Sequence, residues 1–259
     1  MRTVLPDGLS WRRPRLSDAE SIADFVGAYN TAVVGFADVT LDDVRDELVE
    51  PGFDPERDGW LVRDGGRQVG YGWCFADGTR DRVDIEVVAH EPSVSDWLFA
   101  QTIGRAKEIA GAAGHPEVVL DKGIYRADSA MRSQLAAHGF AHATTFHRMR
   151  IDHTDPRPAS APDPPSAPEP PPGVVLTVGP GDDAFRRAGH AVMMSAFDGH
   201  FGFTPLPYEE WHEAREAQST FDWSQLMVAA LDGAPVGVLE RSNQFVEDEH
   251  CGYVRWVGV

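Results

Sequence analysis

The sequence predicts an α/β chain with mixed sheets, made of two copies of one unit, the second incomplete. Three observations lead there. The segment order before residue 154, β α α β β β α β α β, restarts after residue 173. Each half joins two strand-like runs through a turn signal, Asp64-Gly65-Gly66 in the first and Leu231-Asp232-Gly233 in the second. Between the halves, DPRPASAPDPPSAPEPPPG (Asp155 to Gly173) holds nine of the chain's 19 prolines and no large apolar residue. Such a stretch cannot bury enough surface to fold, and proline at this density makes it a semi-rigid, extended spacer. The expected division is a unit over 1–153, a linker over 154–173 and a second unit over 174–259.

In the first unit, Leu9 to Leu16 reads as a strand. Ser17-Asp18 offers a cap for an amphipathic helix over Ala19 to Asn30, with Ile22, Phe25, Val26 and Tyr29 on one face. Thr40 opens a second helix through Leu41, Val44 and Leu48, which Pro51-Gly52 ends. Gly59 to Val62 and Gln68 to Phe75 form the hairpin, and Arg82 to Ala89 is the next strand. Ser93 or Ser95 caps a helix over Asp96 to Ala113. A short strand over Glu117 to Lys122, a helix from Asp128 to Gly139 and an alternating strand over Phe140 to Ile151 complete the unit.

The second unit begins with a strand over Val174 to Val178 and a helix from Asp182 carrying Phe185, Ala188, Val192 and Met193. A helix over Pro207 to Ala217, a hairpin of Gln225 to Ala230 with Pro235 to Glu240, and a strand over Gly252 to Val259 follow. Asp18 matches Asp182 and Gly70 matches Gly237, an offset of about 165 residues.

Composition excludes several classes of function. The formal charge of −18 falls on both units, −8 before the linker and −8 after it. Neither has the basic stripe that phosphate contacts require, so no nucleic-acid partner is expected. No apolar run approaches the ~20 residues of a membrane span, and MRTVLPDGLSWRRPRL has no apolar stretch between its charges. The expectation is a cytoplasmic chain with no membrane partner. Cys74 and Cys251, one per unit and both in strand-like runs, read as reduced thiols. His138, His142 and His147 do not converge once strand periodicity is applied, so no metal is expected. Gly70-Tyr71-Gly72 lies inside a strand with no helix behind it, which excludes a dinucleotide loop.

The element order, the DG hairpin and the closing YRADSAMRSQLAAHGF of the first unit resemble the GNAT superfamily of acetyl-CoA-dependent acyltransferases. SAFDGHFGFTPLPYEEW, LDGAPVGVL and GYVRWVGV are similar to the tandem members of mycothiol-synthase type. The resemblance implies tandem GNAT folds, acetyl-CoA as co-substrate and a small-molecule amine as acceptor. It also implies a cofactor held by strand backbone and by a glycine- and arginine-rich loop at a helix start, where amides and helix dipole favour phosphate. The first unit departs from this pattern. Its loop reads His90-Glu91-Pro92-Ser93-Val94-Ser95-Asp96, with two acids and no glycine. Leu135 stands where the family often has a tyrosine acid, with Tyr125 and Glu86 as substitutes to weigh. The first copy is therefore expected to be degenerate.

Catalysis is expected in the second copy. By resemblance, the backbone of Val257, Gly258 and Val259 pairs with the cofactor arm. His200, Phe203, Tyr208 and Trp211, with Phe201, line the acceptor pocket, and Glu240 and Glu249 are candidate bases for the attacking amine. The alternative is a non-catalytic GNAT-like binding or scaffolding protein. Val259 corresponds to about Val88 or Ala89 of the first copy, ahead of the phosphate loop. The expectation is a truncated product with negligible acetyltransferase activity, whose DNA continues in frame past codon 259. Brief protease exposure should nick the chain between Thr154 and Gly173, or within the second unit, before the first is cut. A stable fragment ending inside 60–140 would contradict the boundary.

Overall fold

The computed structural model describes residues 4–76, 78–152 and 169–259. The expected linker lies outside the described residues up to position 168. Two sheets organise the rest. In the first, β1 (Leu9–Arg12), β2 (Gly59–Asp64), β3 (Arg67–Phe75) and β4 (Arg82–Ala89) run antiparallel in that order, and β5 (Val119–Asp121) adds parallel to β4. In the second, β6 (Val174–Val178), β7 (Leu226–Leu231), β8 (Ala234–Ser242) and β9 (Tyr253–Gly258) are antiparallel in sequence order.

The registers show that the two sheets repeat one design. Val62 pairs with Gly70 and Ala229 with Gly237, and each hairpin carries a bulge immediately after, at Val62/Arg63 and at Ala229/Ala230. Each hairpin closes through a two-residue turn, Gly65-Gly66 and Asp232-Gly233, in which Gly65, Asp232 and Gly233 take positive φ. Asp232 is tolerated there because a short polar side chain suffers least in the left-handed region.

The first sheet is covered on both faces. α1 (Ala19–Val34) and α2 (Leu41–Val49) bury Ile22, Val44 and Leu48 against Leu61 and Tyr71. On the other face α4 (Pro92–Ala112) and α5 (Ser129–Ala137) bury Val94, Leu98, Phe99, Met131 and Leu135 against Val62, Ile85 and Val87. Alternation along the strands sends successive side chains to the two cores. Thr40 caps α2 reciprocally with Asp43: the Asp43 amide donates to Thr40 Oγ1 at 3.1 Å, and the Thr40 amide to Asp43 Oδ2 at 2.7 Å. A short α3 (Pro55–Asp58) leads into β2.

The second sheet is covered on one face. α6 (Asp183–Phe197) and α7 (Tyr208–Ala217) bury Val192, Met193, Tyr208 and Trp211 over Leu226 and Val238. Val178, Met227, Leu239 and Val257 form a cross-strand row on the opposite face, with Val178 and Val257 49% and 64% exposed. A short α8 (Val246–Glu249) precedes β9.

Four sequence expectations need correction. β1 stops at Arg12 and not Leu16, since Pro14 cannot donate to a ladder. Asp18 does not cap α1 with its side chain; its carboxylate accepts from Arg12 at 2.7 and 2.5 Å and from the Arg15 amide at 2.8 Å. α4 starts at Pro92, a residue suited to the first helical turn, so Ser95 is buried inside the helix and caps nothing. Phe140 to Ile151 forms no strand. Beyond Phe140 these residues are exposed, Phe146, Met149 and Ile151 by 79%, 89% and 83%, and an alternating pattern without a paired neighbour leaves the backbone with no ladder to join.

Gly70 and Gly72 lie on β3 directly beneath α4. A Cβ on Gly70 would stand 2.7 Å from Val94 Cγ1, and one on Gly72 would stand 2.9 Å from the Glu86 carbonyl oxygen. Gly72→Ala should therefore lower unfolding free energy by about 1–3 kcal/mol. Gly104→Ala on α4, whose Cβ meets nothing within 4 Å, should raise it by roughly 0.5–1 kcal/mol. Urea denaturation of the two variants checks both signs.

Candidate functional site

In the second unit the loop after α6 folds back onto β9. Phe197, at the end of α6, packs edge-on against Trp256 of β9 at 4.9 Å between ring centroids. His200 and Phe203 pack on Phe197 at 5.3 and 5.6 Å, and Phe203 is 6.4 Å from Trp256. Two of the sequence-predicted pocket residues thus form an aromatic wall beside β9, with His200 exposed and Phe203 half-buried. Phe201 turns away, to the first unit, where the Arg82 guanidinium lies 5.2 Å above its ring.

Tyr208 and Trp211 sit in the core. The Tyr208 hydroxyl donates to Asp183 Oδ1 at 2.7 Å, and burial, with that bond, raises the phenol to about 12. Trp211 is 1% exposed and packs against His190, Tyr208 and Trp223.

Glu240 and Glu249 are not brought together. Glu240 is fully buried on β8, opposite Trp256. Its Oε2 accepts from Arg215 Nε at 2.8 Å, while Oε1 has no hydrogen-bond donor among the described residues and lies 3.9 Å from Arg255 Nε. Burial pulls the Arg215 guanidinium pKa down, against the opposing pull of Glu240. Glu249, on α8, is held by Arg148 at 2.7 Å and Arg150 at 3.0 Å. Val257 is exposed. Gly258 is buried, and a Cβ there would stand 2.7 Å from Ala196 Cβ on α6. Val259 is 97% exposed.

The first unit holds a second constellation. β4 and β5 pair through Arg82↔Val119, Val83↔Leu120 and Asp84↔Asp121, and pairing ends there while β4 runs on to Ala89. Glu86 and Lys122 meet across the fork. Glu86 occupies the register position that Trp256 holds in the second unit, opposite Trp73 where the second unit has Glu240, so the two units carry the same Trp–Glu cross-strand pair with the order reversed. Burial raises Tyr29, Glu47, Tyr71 and Tyr125, and the negative charge of Glu86 adds to the rise in each. The Tyr71 hydroxyl donates to Glu47, the Tyr29 hydroxyl to Asp128 at 2.6 Å and the Tyr125 hydroxyl to Asp38 at 2.7 Å. Sequence reading weighed only Glu86 and Tyr125 of this group. Glu47 carried no signal and Tyr29 only that of an apolar helix face, because the long-range pairs that define the cluster span many residues of chain.

At the fork's open end the start of α4 presents Glu91 and Pro92, which set a negative charge and a missing amide where a phosphate would need donors. His138 pairs with Asp96 at 3.0 Å and His142 with Thr145 at 3.0 Å. Among the described residues no cluster of three metal-ligating side chains forms, and no helix is long and apolar enough to cross a membrane.

The architecture has counterparts among solved structures. A GCN5-related N-acetyltransferase from Sphaerobacter thermophilus matches with a TM-score of 0.66 and 20% identity, over 99% of this chain and 77% of that one. A tandem GNAT protein from the clavulanic acid biosynthesis pathway, without AcCoA, matches with a TM-score of 0.54 and 18% identity, over 90% of this chain and 74% of that one. No protein-family model and no curated relative matches the chain.

Glu47 gives a test of the first cluster. Part of the residue stays exposed, but its carboxyl end is enclosed, and burial raises its pKa to about 8 despite the Tyr71 hydrogen bond. The folded chain then holds a proton that the unfolded chain releases above its ordinary value near 4.5. The stability from that neutral form is complete below that value and is lost as pH rises to about 8. Glu47→Gln should flatten this fall and be more stable than the parent at pH 8 by roughly 3 kcal/mol, as read from melting curves between pH 5 and 8.

Proposed function

We propose that this chain, whose two units have the fold of the GCN5-related N-acetyltransferases, transfers the acetyl group of acetyl-CoA to a small-molecule amine in the cytoplasm, with the chemistry in the second unit. The observation that supports this most is β9. Among the described residues it is an edge strand, so the backbone of Val257 and Gly258, with Val259 just beyond the strand, offers donors and acceptors to an extended thioester arm, and the wall of Phe197, His200, Phe203 and Trp256 stands beside it. An amine held against that wall attacks the thioester carbonyl directly. Strand amides stabilise the oxyanion of the tetrahedral intermediate, and the thiolate leaves with the acetyl group on nitrogen. Tyr208 and Trp211 shape the site from beneath by fixing α7. Glu240, closed off by Arg215, acts through the placement of Arg215 and Arg255 and not as a base, and the amine's proton leaves through water.

A second location is favoured by the fork between β4 and β5, where Glu86 faces the opening. The acid at the start of α4 argues against it. Thiol release from acetyl-CoA by the full chain, measured over a panel of primary amines, separates the readings and tests this proposal against the sequence expectation of negligible activity. His200→Ala and Phe203→Ala should each lower kcat/KM about 10-fold, or ~1.4 kcal/mol, while Glu86→Gln leaves it unchanged. The reverse pattern moves the chemistry to the first unit. Thermal stabilisation by acetyl-CoA without thiol release would make the chain a binding or scaffolding protein.

A further inference from the structure

The exposed stretch after Phe140 does not wander free. Arg148 reaches two units at once: its Nη1 lies 2.5 Å from Asp38 Oδ1, between α1 and α2, and its Nη2 lies 2.7 Å from Glu249 Oε1 on α8. Arg150 Nη1 takes the other oxygen of Glu249 at 3.0 Å. The Arg148 guanidinium also sits 4.7 Å from the Phe245 ring of the second unit and 5.9 Å from the Phe36 ring of the first. An arginine suits this position because its planar fork can bond to two carboxylates while its faces meet aromatic rings. Two further contacts join the same surfaces. The Ser219 amide donates to both Asp46 oxygens at 3.0 Å, and Gln244 Nε2 donates to Asp43 Oδ1 at 2.5 Å. Both acceptors are on α2.

Asp38 is the pivot. Its backbone takes a positive φ of 45°, which an aspartate tolerates, as Asp232 does, and both oxygens of its side chain are taken. Oδ1 is held by Arg148 and Oδ2 accepts the Tyr125 hydroxyl at 2.7 Å. We propose that Arg148 is a clasp that seats the second unit on the α1–α2 side of the first and thereby positions Asp38 against Tyr125. Tyr125 then reports in the first unit's cleft whether the second unit is docked. Glu249 is the clasp's anchor. The arrangement stands whichever unit transfers the acyl group.

The test uses the full chain with Arg148→Ala and Glu249→Gln, both outside the hydrophobic cores. Small-angle X-ray scattering should show a larger radius of gyration in each variant. The Tyr125 phenol, followed by ring-carbon NMR and assigned with Tyr125→Phe, adds a readout that simple loosening would not move in the same direction. Burial, Asp38 and Glu86 raise its pKa and Arg148 lowers it, so removing the Arg148 charge alone would push ionisation to still higher pH. Loss of the Asp38 bond instead brings it down toward an ordinary tyrosine. The expected result in Arg148→Ala is ionisation at lower pH than in the parent. An unchanged radius of gyration in either variant, or a Tyr125 phenol that ionises at the same or higher pH, overturns the proposal.

Discussion

A β-sheet whose strands are apolar on both faces has to be covered twice, and most of this molecule follows from how each unit meets that demand. In the first unit the strands alternate between two cores, so Leu61 and Tyr71 go under α1 and α2 while Val62 and the glycines of β3 go under α4. The helix can approach β3 closely because Gly70 and Gly72 have no side chain to hold it off. In the second unit the same rows exist, but among the described residues helices cover one of them. The row from Val178 to Val257 is the face that α4 covers in the first.

Charge is arranged around the same sheets. A carboxylate sits at one cross-strand position in both units, on β4 as Glu86 and on β8 as Glu240. Exchanging Trp and Glu across the strands changes what the carboxylate can do. Glu86 opens to a fork with Lys122 and tyrosines around it. Glu240 is sealed beneath α7, where losing Arg215 would leave it without its hydrogen-bonded partner and with only Arg255 at 3.9 Å, a loss approaching the roughly 3–5 kcal/mol of other broken buried pairs. Glu240 is closed off from solvent by its pairing with Arg215, so on the proposed reading the backbone amides of β9 and the aromatic wall are the groups left to face a substrate.

The two units also meet through polar contacts, with carboxylates of α2 receiving donors from the second unit and Arg148, held on Asp38, donating to Glu249 across the gap. Such contacts are individually weak at a wet surface, and they gain strength as a connected set. That is why one arginine with two carboxylate partners can matter more than its exposure suggests.

The repeated architecture was legible in the chain itself. The hairpins at Asp64-Gly65-Gly66 and Leu231-Asp232-Gly233, the cap at Thr40 and the helix face of Val192 and Met193 are local patterns, and local sterics and hydrogen bonding decide them. So is the proline-rich character of the segment between the units, a matter of composition. Tertiary structure decided the rest. Phe140 to Ile151 alternates like a strand but has no neighbour to pair with. Tyr208 and Trp211 have pocket-like chemistry but face the core. Glu240 and Glu249 read as candidate bases until Arg215, Arg148 and Arg150, distant in sequence, are brought against them. Pairing, burial and charge neutralisation depend on partners far along the chain, and no local pattern encodes which partners arrive.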